Sequence, residues 1–295
     1  MDTTELLQQV VNALSLGSIY ALVAIGLGVV FSIARMVNFA HGELVTIAGY
    51  TLYGLFGRVP WPVAIAAAIA VSAGAAVIME RAVFKRVKGA DPVALLIVSF
   101  ALSLIIQTVL LILMGGTAKP IGYPSWVQAS FTIGQLTVAW RDVATCAVTF
   151  AVLVSLTRFL RRSVVGLALR ASAEDQDVAR ILGVDPRRVI VAAFAISGAL
   201  AGLAGIMWLA NSASVTPTSG FEPLMNGFIA AVLGGLGSLT GAVIAGLGLG
   251  ALEIVLRNVL PDSMVGLTDG LVFVAIILIL LIRPQGIFGK VGREV

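Results

Sequence analysis

Reactive and metal-binding side chains are scarce in this chain. It has one cysteine, Cys146, and one histidine, His41. No intramolecular disulfide and no cysteine cluster for a metal can form, and a zinc site built on H-E-x-x-H is excluded. Charge is scarce too: Asp, Glu, Lys and Arg make up 12% of the sequence, about half the ~25% usual in soluble domains. There is no G-x-x-x-x-G-K-[ST] motif, so the chain has no loop of its own to cradle nucleotide phosphates. No basic run is interleaved with aromatics, which excludes a nucleic-acid surface. The N-terminus carries Asp2 and Glu5 instead of a basic cluster. The first apolar run is also too long for a signal-peptide core, so no cleaved leader is expected.

What fills the space is apolar sequence, 59% of the 295 residues. Runs of twenty or more Leu, Ala, Gly and Val residues suit membrane-spanning helices, which satisfy their backbone internally. The alternating short segments of a β-barrel are missing. The expected fold is an all-α polytopic membrane protein forming a single transmembrane domain over 1–295, and its architecture leaves room for an inverted repeat. Segments are expected near 8–32, 39–57, 60–80, 93–114, 141–160, 188–210, 226–256 and 264–282. That makes about eight, one of them broken. The break is L-G-G-L-G-S-L-T-G (233–241), too glycine-rich for an undisturbed helix. Two limbs, 224–236 and 240–257, are expected to enter from outside and return there, as a re-entrant loop or as two crossings. Irregular backbone at membrane depth is buried in protein or lines a cavity, so the break points to a pathway. The loop 115–140 is the one sizeable external segment.

The net charge of +4 reflects topology. Of nineteen Lys and Arg residues, fifteen fall on one side: Arg35, the 81–88 cluster with Lys88, seven between 158 and 188, and Arg283, Lys290 and Arg293. Arg58, Lys119, Arg141 and Arg257 fall on the other. The positive-inside bias places the fifteen in the cytoplasm. Trp61, Trp126, Trp140 and Trp208 gather at the opposite face, as interfacial indoles do. The N-terminus is expected outside and the C-terminus inside.

The longest polar stretch runs from Arg170 to Arg188. Ser172 suits an N-cap, with Asp175 completing a capping-box variant. Glu174, Asp175 and Asp177 complement the first turn, and Arg180 the last. Gly183 fits a left-handed C′ position, and Pro186 blocks resumption. The expected helix, 172–182, has a small apolar stripe of Val178, Ile181 and Leu182. Too short to be stable alone, it must rest on something.

Within the apolar segments, Gly198/Gly202, Gly237/Gly241 and Ala242/Gly246/Gly250 recur at four-residue spacing, which lets helices pack closely. The second segment opens M-V-N-F-A-H-G-E-L. Asn38 is a candidate N-cap, Gly42 allows close approach, and His41 and Glu43 are polar groups expected to face the bundle interior. Glu80 is expected at a solvated span end. Glu253 and Arg257, four apart, are expected to form a local ion pair.

Several stretches together resemble a known family: L-G-S-I-Y-A-L-V-A-I-G (16–26), M-V-N-F-A-H-G-E (36–43), A-S-A-E-D (171–175) with I-L-G-V (181–184), A-A-V-L-G-G-L-G-S-L-T-G-A (230–242) and R-P-Q-G-I-F-G (283–289). Over essentially its whole length the chain resembles the LivH-type permease of branched-chain amino acid ABC importers, a multi-pass subunit of the bacterial inner membrane. The resemblance implies one of two membrane subunits, usually paired with a different homologue. Two cytoplasmic ATPase subunits and a periplasmic substrate-binding protein complete such a machine. Segment 172–182 would be the coupling helix, with Arg170, Ser172, Glu174, Asp175 and Gly183 serving the ATPase contact. Asn38, His41, Gly42, Glu43, Gly234, Gly235, Gly237 and Ser238 would lie along the translocation path. No cofactor, metal or catalytic residue is implied. Permeases for urea, amides or sugars share much of the pattern.

Two other classes were weighed on the residues themselves. An ion-coupled secondary transporter needs a relay of buried acids, of which there are few. An intramembrane enzyme using His41 and Glu43 needs a nucleophile or metal constellation that the sequence does not offer.

Overall fold

The computed structural model describes residues 3–87, 89–133, 136–283 and 286–287. Lys88, Lys290 and Arg293, and part of the 283–289 motif, lie outside the described residues. In chain order the helices are α1 (Thr3–Ala34), α2 (His41–Leu55), α3 (Trp61–Met79), α4 (Pro92–Met114), α5 (Ser125–Gln128), α6 (Trp140–Arg162), α7 (Val164–Glu174), α8 (Gln176–Ile181), α9 (Pro186–Leu209), α10 (Phe221–Gly234), α11 (Leu239–Val259) and α12 (Thr268–Ile282). A π-helical turn, Glu80–Phe84, extends α3, and a 3-10 turn, Asp262–Leu267, precedes α12. Two short antiparallel pairs occur as well. β1 (Lys119–Pro120) pairs with β4 (Ser214–Val215), and β2 (Ser130–Ile133) with β3 (Leu136–Ala139).

Local chemistry starts these helices. Asp91 and Asp185 each precede a proline, and each side chain accepts from the backbone N–H two residues on, Val93 at 2.8 Å and Arg187 at 2.9 Å. Proline at the first helical position loses no needed donor. Ser163 and Ser238 cap α7 and α11 through Gly166 N–H and Gly241 N–H. Among the described residues six helices are long and apolar enough to cross a membrane: α1, α3 with its π turn, α4, α6, α9 and α11. α10 and most of α12 are shorter apolar helices. α2 has 15 residues, about 22 Å at 1.5 Å per residue, short of a ~30 Å hydrocarbon core. The chain is a multi-pass membrane protein, and its helical architecture is the expected one.

The segment expected as 226–256 is two helices. They are joined by a four-residue turn in which Gly235 and Gly237 have φ of +87° and +95°, left-handed values that glycine adopts without penalty. Ile287, beyond α12, donates its N–H to Leu233 O at 2.7 Å. The turn therefore lies level with the end of α12, at one end of its unit. The expected break is thus a tight turn between two limbs, joining the end of α10 at Gly234 to the start of α11 at Leu239. Gly237 sits in the turn and forms no helix-packing pair with Gly241. Gly241 meets Gly234 instead.

The chain divides into two compact units. One draws its described residues from the stretch up to Gly28, from Tyr123–Thr149 and from Met225 onward; the other from Val29–Gly122 and Phe150–Leu224. In the first, α11 lies on α1. A Cβ on Gly250 would stand 2.4 Å from Gly17 N, and one on Gly246 2.6 Å from Ala21 N, so the expected small-residue stripe packs within the chain. In the second, α2, α3 and α9 pack together. Gly198 abuts α3, where a Cβ would be 2.6 Å from Ala76 Cβ, and Ser72 Oγ donates to Leu44 O at 2.9 Å. Leu44, Val45, Ala76, Phe84 and Phe194 form the core there.

Candidate functional site

The polar stretch folds as two helices, which corrects the expected single helix 172–182. Ser172 is not an N-cap: it lies in the last turn of α7, 4% exposed, and its Oγ has no hydrogen-bond partner among the described residues. The apolar run from Val164 carries α7 through to Glu174. There Asp175 turns extended (φ −150°, ψ 116°) and becomes the N-cap of α8, its Oδ1 accepting from Asp177 N–H and Val178 N–H at 2.8 and 3.0 Å. Asp175 is thus the cap itself rather than the reciprocating member of a box. α8 ends as expected. Gly183 is left-handed at φ +86°, Gly183 N–H donates to Arg180 O and Val184 N–H to Ala179 O, each at 3.0 Å. That is a Schellman motif closing the helix.

The stripe of α8 is left uncovered by the described residues. Val178, Ile181 and Leu182 are 53%, 85% and 74% exposed. Arg170 and Glu174 are also exposed. Two hydrogen bonds tie the α7–α8 junction to the end of α1: Arg35 Nη2 donates to Ala173 O at 2.9 Å, and Gln176 Nε2 donates to Ile33 O. Arg35 holds a left-handed backbone, φ +53°, which costs a non-glycine residue roughly 1–2 kcal/mol. Beside this junction is a cavity of about 1570 Å³ rimmed by charge, including Arg81, Lys85, Asp177 and Arg180.

Glu80 borders this cavity but is 6% exposed, in the π turn. The expectation of a solvated span end is corrected. The carboxylate residue is buried within the π turn that ends α3.

The opening of α2 is densely bonded. Asn38 Oδ1 accepts from Ala40 N–H at 3.0 Å, and Ala40, not Asn38, occupies the cap position of α2. This corrects Asn38 as N-cap: its side chain closes the turn before the helix. His41 is fully buried, Nδ1 lying 3.1 Å from Ser197 Oγ on α9. Gly42 meets Gly220, whose N–H donates to Thr46 Oγ1 at 3.0 Å. Glu43 Oε1 accepts from Ser103 Oγ and Gln107 Nε2, both at 2.8 Å. Ser99 Oγ accepts from Phe39 N–H at 3.2 Å. Ser99, Ser103 and Gln107 thus form a four-residue-spaced polar stripe that holds an otherwise apolar α4 to α2. In lipid such bonds replace the missing hydrophobic drive. No group of three metal-ligating side chains occurs among the described residues.

Glu43→Leu should remove the acceptor of the buried Ser103 hydroxyl and of the half-buried Gln107 amide, at a cost of about 2 kcal/mol, while Glu43→Gln keeps an acceptor in place. Thermal unfolding in detergent should therefore separate the two variants. Equal midpoints would mean that the stripe does not hold α4.

A second network was missed in the sequence. Tyr20 OH donates to Glu253 Oε2 at 2.7 Å and accepts from Asn226 Nδ2 at 2.9 Å, while Arg257 pairs with Glu253 Oε1. The expected Glu253–Arg257 pair is present. Its buried acid also joins α1, α10 and α11 within their unit. The turn residues Gly234, Gly235, Gly237 and Ser238 lie in that same unit, and the α2 residues in the other.

Residues 9–281 match the family model for the branched-chain amino acid transport system permease component. The chain belongs to this family. It is 34% identical to the high-affinity branched-chain amino acid transport system permease protein BraD of Pseudomonas aeruginosa, over 96% of both chains. It is 33% identical to the corresponding protein LivH of Escherichia coli K12, again over 96% of both. The E. coli permease protein LivM aligns over a shorter stretch, 37% identical over 43% of this chain and 29% of its own. No solved structure matches. As a permease component, the chain is a transport subunit and not an enzyme. In this permease α8 has both ends capped and its apolar face bare.

Proposed function

We propose that this permease is one of two membrane subunits of an ATP-driven importer for branched-chain amino acids, seated in a bacterial inner membrane. The observation that carries the reading is α8. It is a doubly capped helix with an uncovered apolar face, on a chain without a phosphate-binding loop. A chain that cannot bind ATP must be worked mechanically, and a short rigid helix is a suitable point of contact.

The partners in this reading are a LivM-like second permease, two ATPase subunits docked on α8 and a substrate-binding protein on the opposite face. The N-terminus lies outside and the C-terminus inside. The charge bias of the Lys and Arg residues supports this orientation. Arg170, Glu174, Asp175 and Gly183 shape the ATPase contact, and Ser172 packs beneath it. Asn38, His41, Gly42 and Glu43 hold α2 beside the route. Gly234, Gly235, Gly237 and Ser238 close the α10–α11 hairpin at its inner end. Most substrate selection falls to the binding protein.

The test is uptake by cells expressing the whole system, challenged with leucine, isoleucine, valine, urea and ribose. Saturable uptake of the three branched amino acids, blocked by neither urea nor ribose, is the expected result. Uptake confined to urea or ribose would replace the substrate and leave the machine. Uptake independent of the ATPase genes would reject the machine.

A further inference from the structure

We propose that Arg35 and Gln176 form a two-way latch that transmits movement of α8 to α1. This rests on the reading of α8 as the ATPase contact and adds the residues that carry the motion onward. The two hydrogen bonds are reciprocal. Arg35, just past the end of α1, donates to Ala173 O in the last turn of α7. Gln176, the first residue of α8, donates to Ile33 O in the last turn of α1. Each side chain thereby satisfies a carbonyl that its helix cannot, and a cation at a helix C-terminus also complements the dipole.

The geometry makes the pair more than ordinary capping. Asp175 breaks the helix between α7 and α8 with an extended backbone, which by itself would be a hinge. One latch bond holds the residue two before the break, the other the residue just after it, and both end on α1. The hinge is therefore clamped from both sides to a single helix end. Arg35 also sits where glycine is the usual residue. Its N–H donates to Phe31 O at 2.9 Å and its φ is +53°, the arrangement of a left-handed helix terminus. A side chain kept at such a position, against the backbone preference, is explained by what its guanidinium reaches. A shift of α8 relative to the end of α1 works against the Gln176 bond, and a shift carried through the hinge into α7 works against the Arg35 bond.

The test uses the complete complex, both permeases, both ATPases and the binding protein, reconstituted in proteoliposomes. Arg35→Gly keeps the left-handed turn and removes the donor; Gln176→Leu keeps the volume and removes the other. In the double variant all subunits should co-purify and maximal ATP hydrolysis should stay within about twofold, while leucine imported per ATP falls about tenfold or more, the size of a typical coupling between sites. Arg35→Lys, which keeps a cationic donor, should retain most of the ratio. An unchanged ratio in the double variant overturns the latch. So does loss of the ATPase subunits, because the two residues would then build the docking surface instead of transmitting from it. Ile181→Asp, run in parallel, tests the docking surface alone: if it leaves the ATPases bound and uptake normal, the parent reading fails, whatever the latch variants do.

Discussion

Ile181→Asp is expected to strip the ATPase subunits from the solubilised complex and to reduce uptake about 100-fold or more, as truncation of a central interface anchor does. Ile181 is 85% exposed at the end of α8, beside Leu182 and Val178. Three aliphatic side chains left in water on a six-residue helix gain nothing for this chain. Covering one is worth about 1.5–3 kcal/mol, and an unpaired carboxylate buried in the same contact would cost several more. The helix should survive the change, since its ends are held by Asp175 and Gly183 and not by the stripe. Size-exclusion chromatography of the affinity-purified complex reads subunit loss directly. Retention of both ATPases with normal uptake would leave the exposed stripe unexplained.

Gly220→Ala is expected to prevent accumulation of folded protein. A Cβ there would stand 1.8 Å from Gly42 O and 2.8 Å from Thr46 Oγ1. The obstruction is backbone, so no rotamer change relieves it, and the Gly220 N–H bond to Thr46 would go with any shift. A cost of about 3 kcal/mol, at the upper end for overpacking, would lower the detergent unfolding midpoint by more than ~5 °C. Gly54→Ala, on α2 itself, is the control: nothing lies within 4 Å of its Cβ, and replacing a helical glycine gains roughly 0.5–1 kcal/mol. Indistinguishable behaviour of the two variants would mean that the α2 approach is looser than the structure indicates.

Much of this was legible in the residues. Spans followed from apolar runs long enough to cross a bilayer, and their ends fell within a few residues because Asp-Pro, Ser and Gly punctuate them. Gly183 was readable because few other residues accept a left-handed turn. The errors share a cause. Ser172 and Asp175 are both good caps, and local preference cannot choose between them. The choice was made by the apolar run from Val164, which pulls Ser172 into α7. Glu80 is buried within the π turn that ends α3, and that turn has no clear mark in sequence. The latch joins residues 138 and 143 apart, beyond any local pattern. The stripe of Ser99, Ser103 and Gln107 is different. Its four-residue spacing in an apolar helix was visible and would have located the partner of Glu43.

The most direct test of the account is leucine flux into proteoliposomes holding the purified complex, measured with and without ATP and with and without the ATPase subunits. Uptake only when ATP and all subunits are present is the predicted result. Steady uptake by this chain alone, or uptake driven by an imposed ion gradient without ATP, would contradict it.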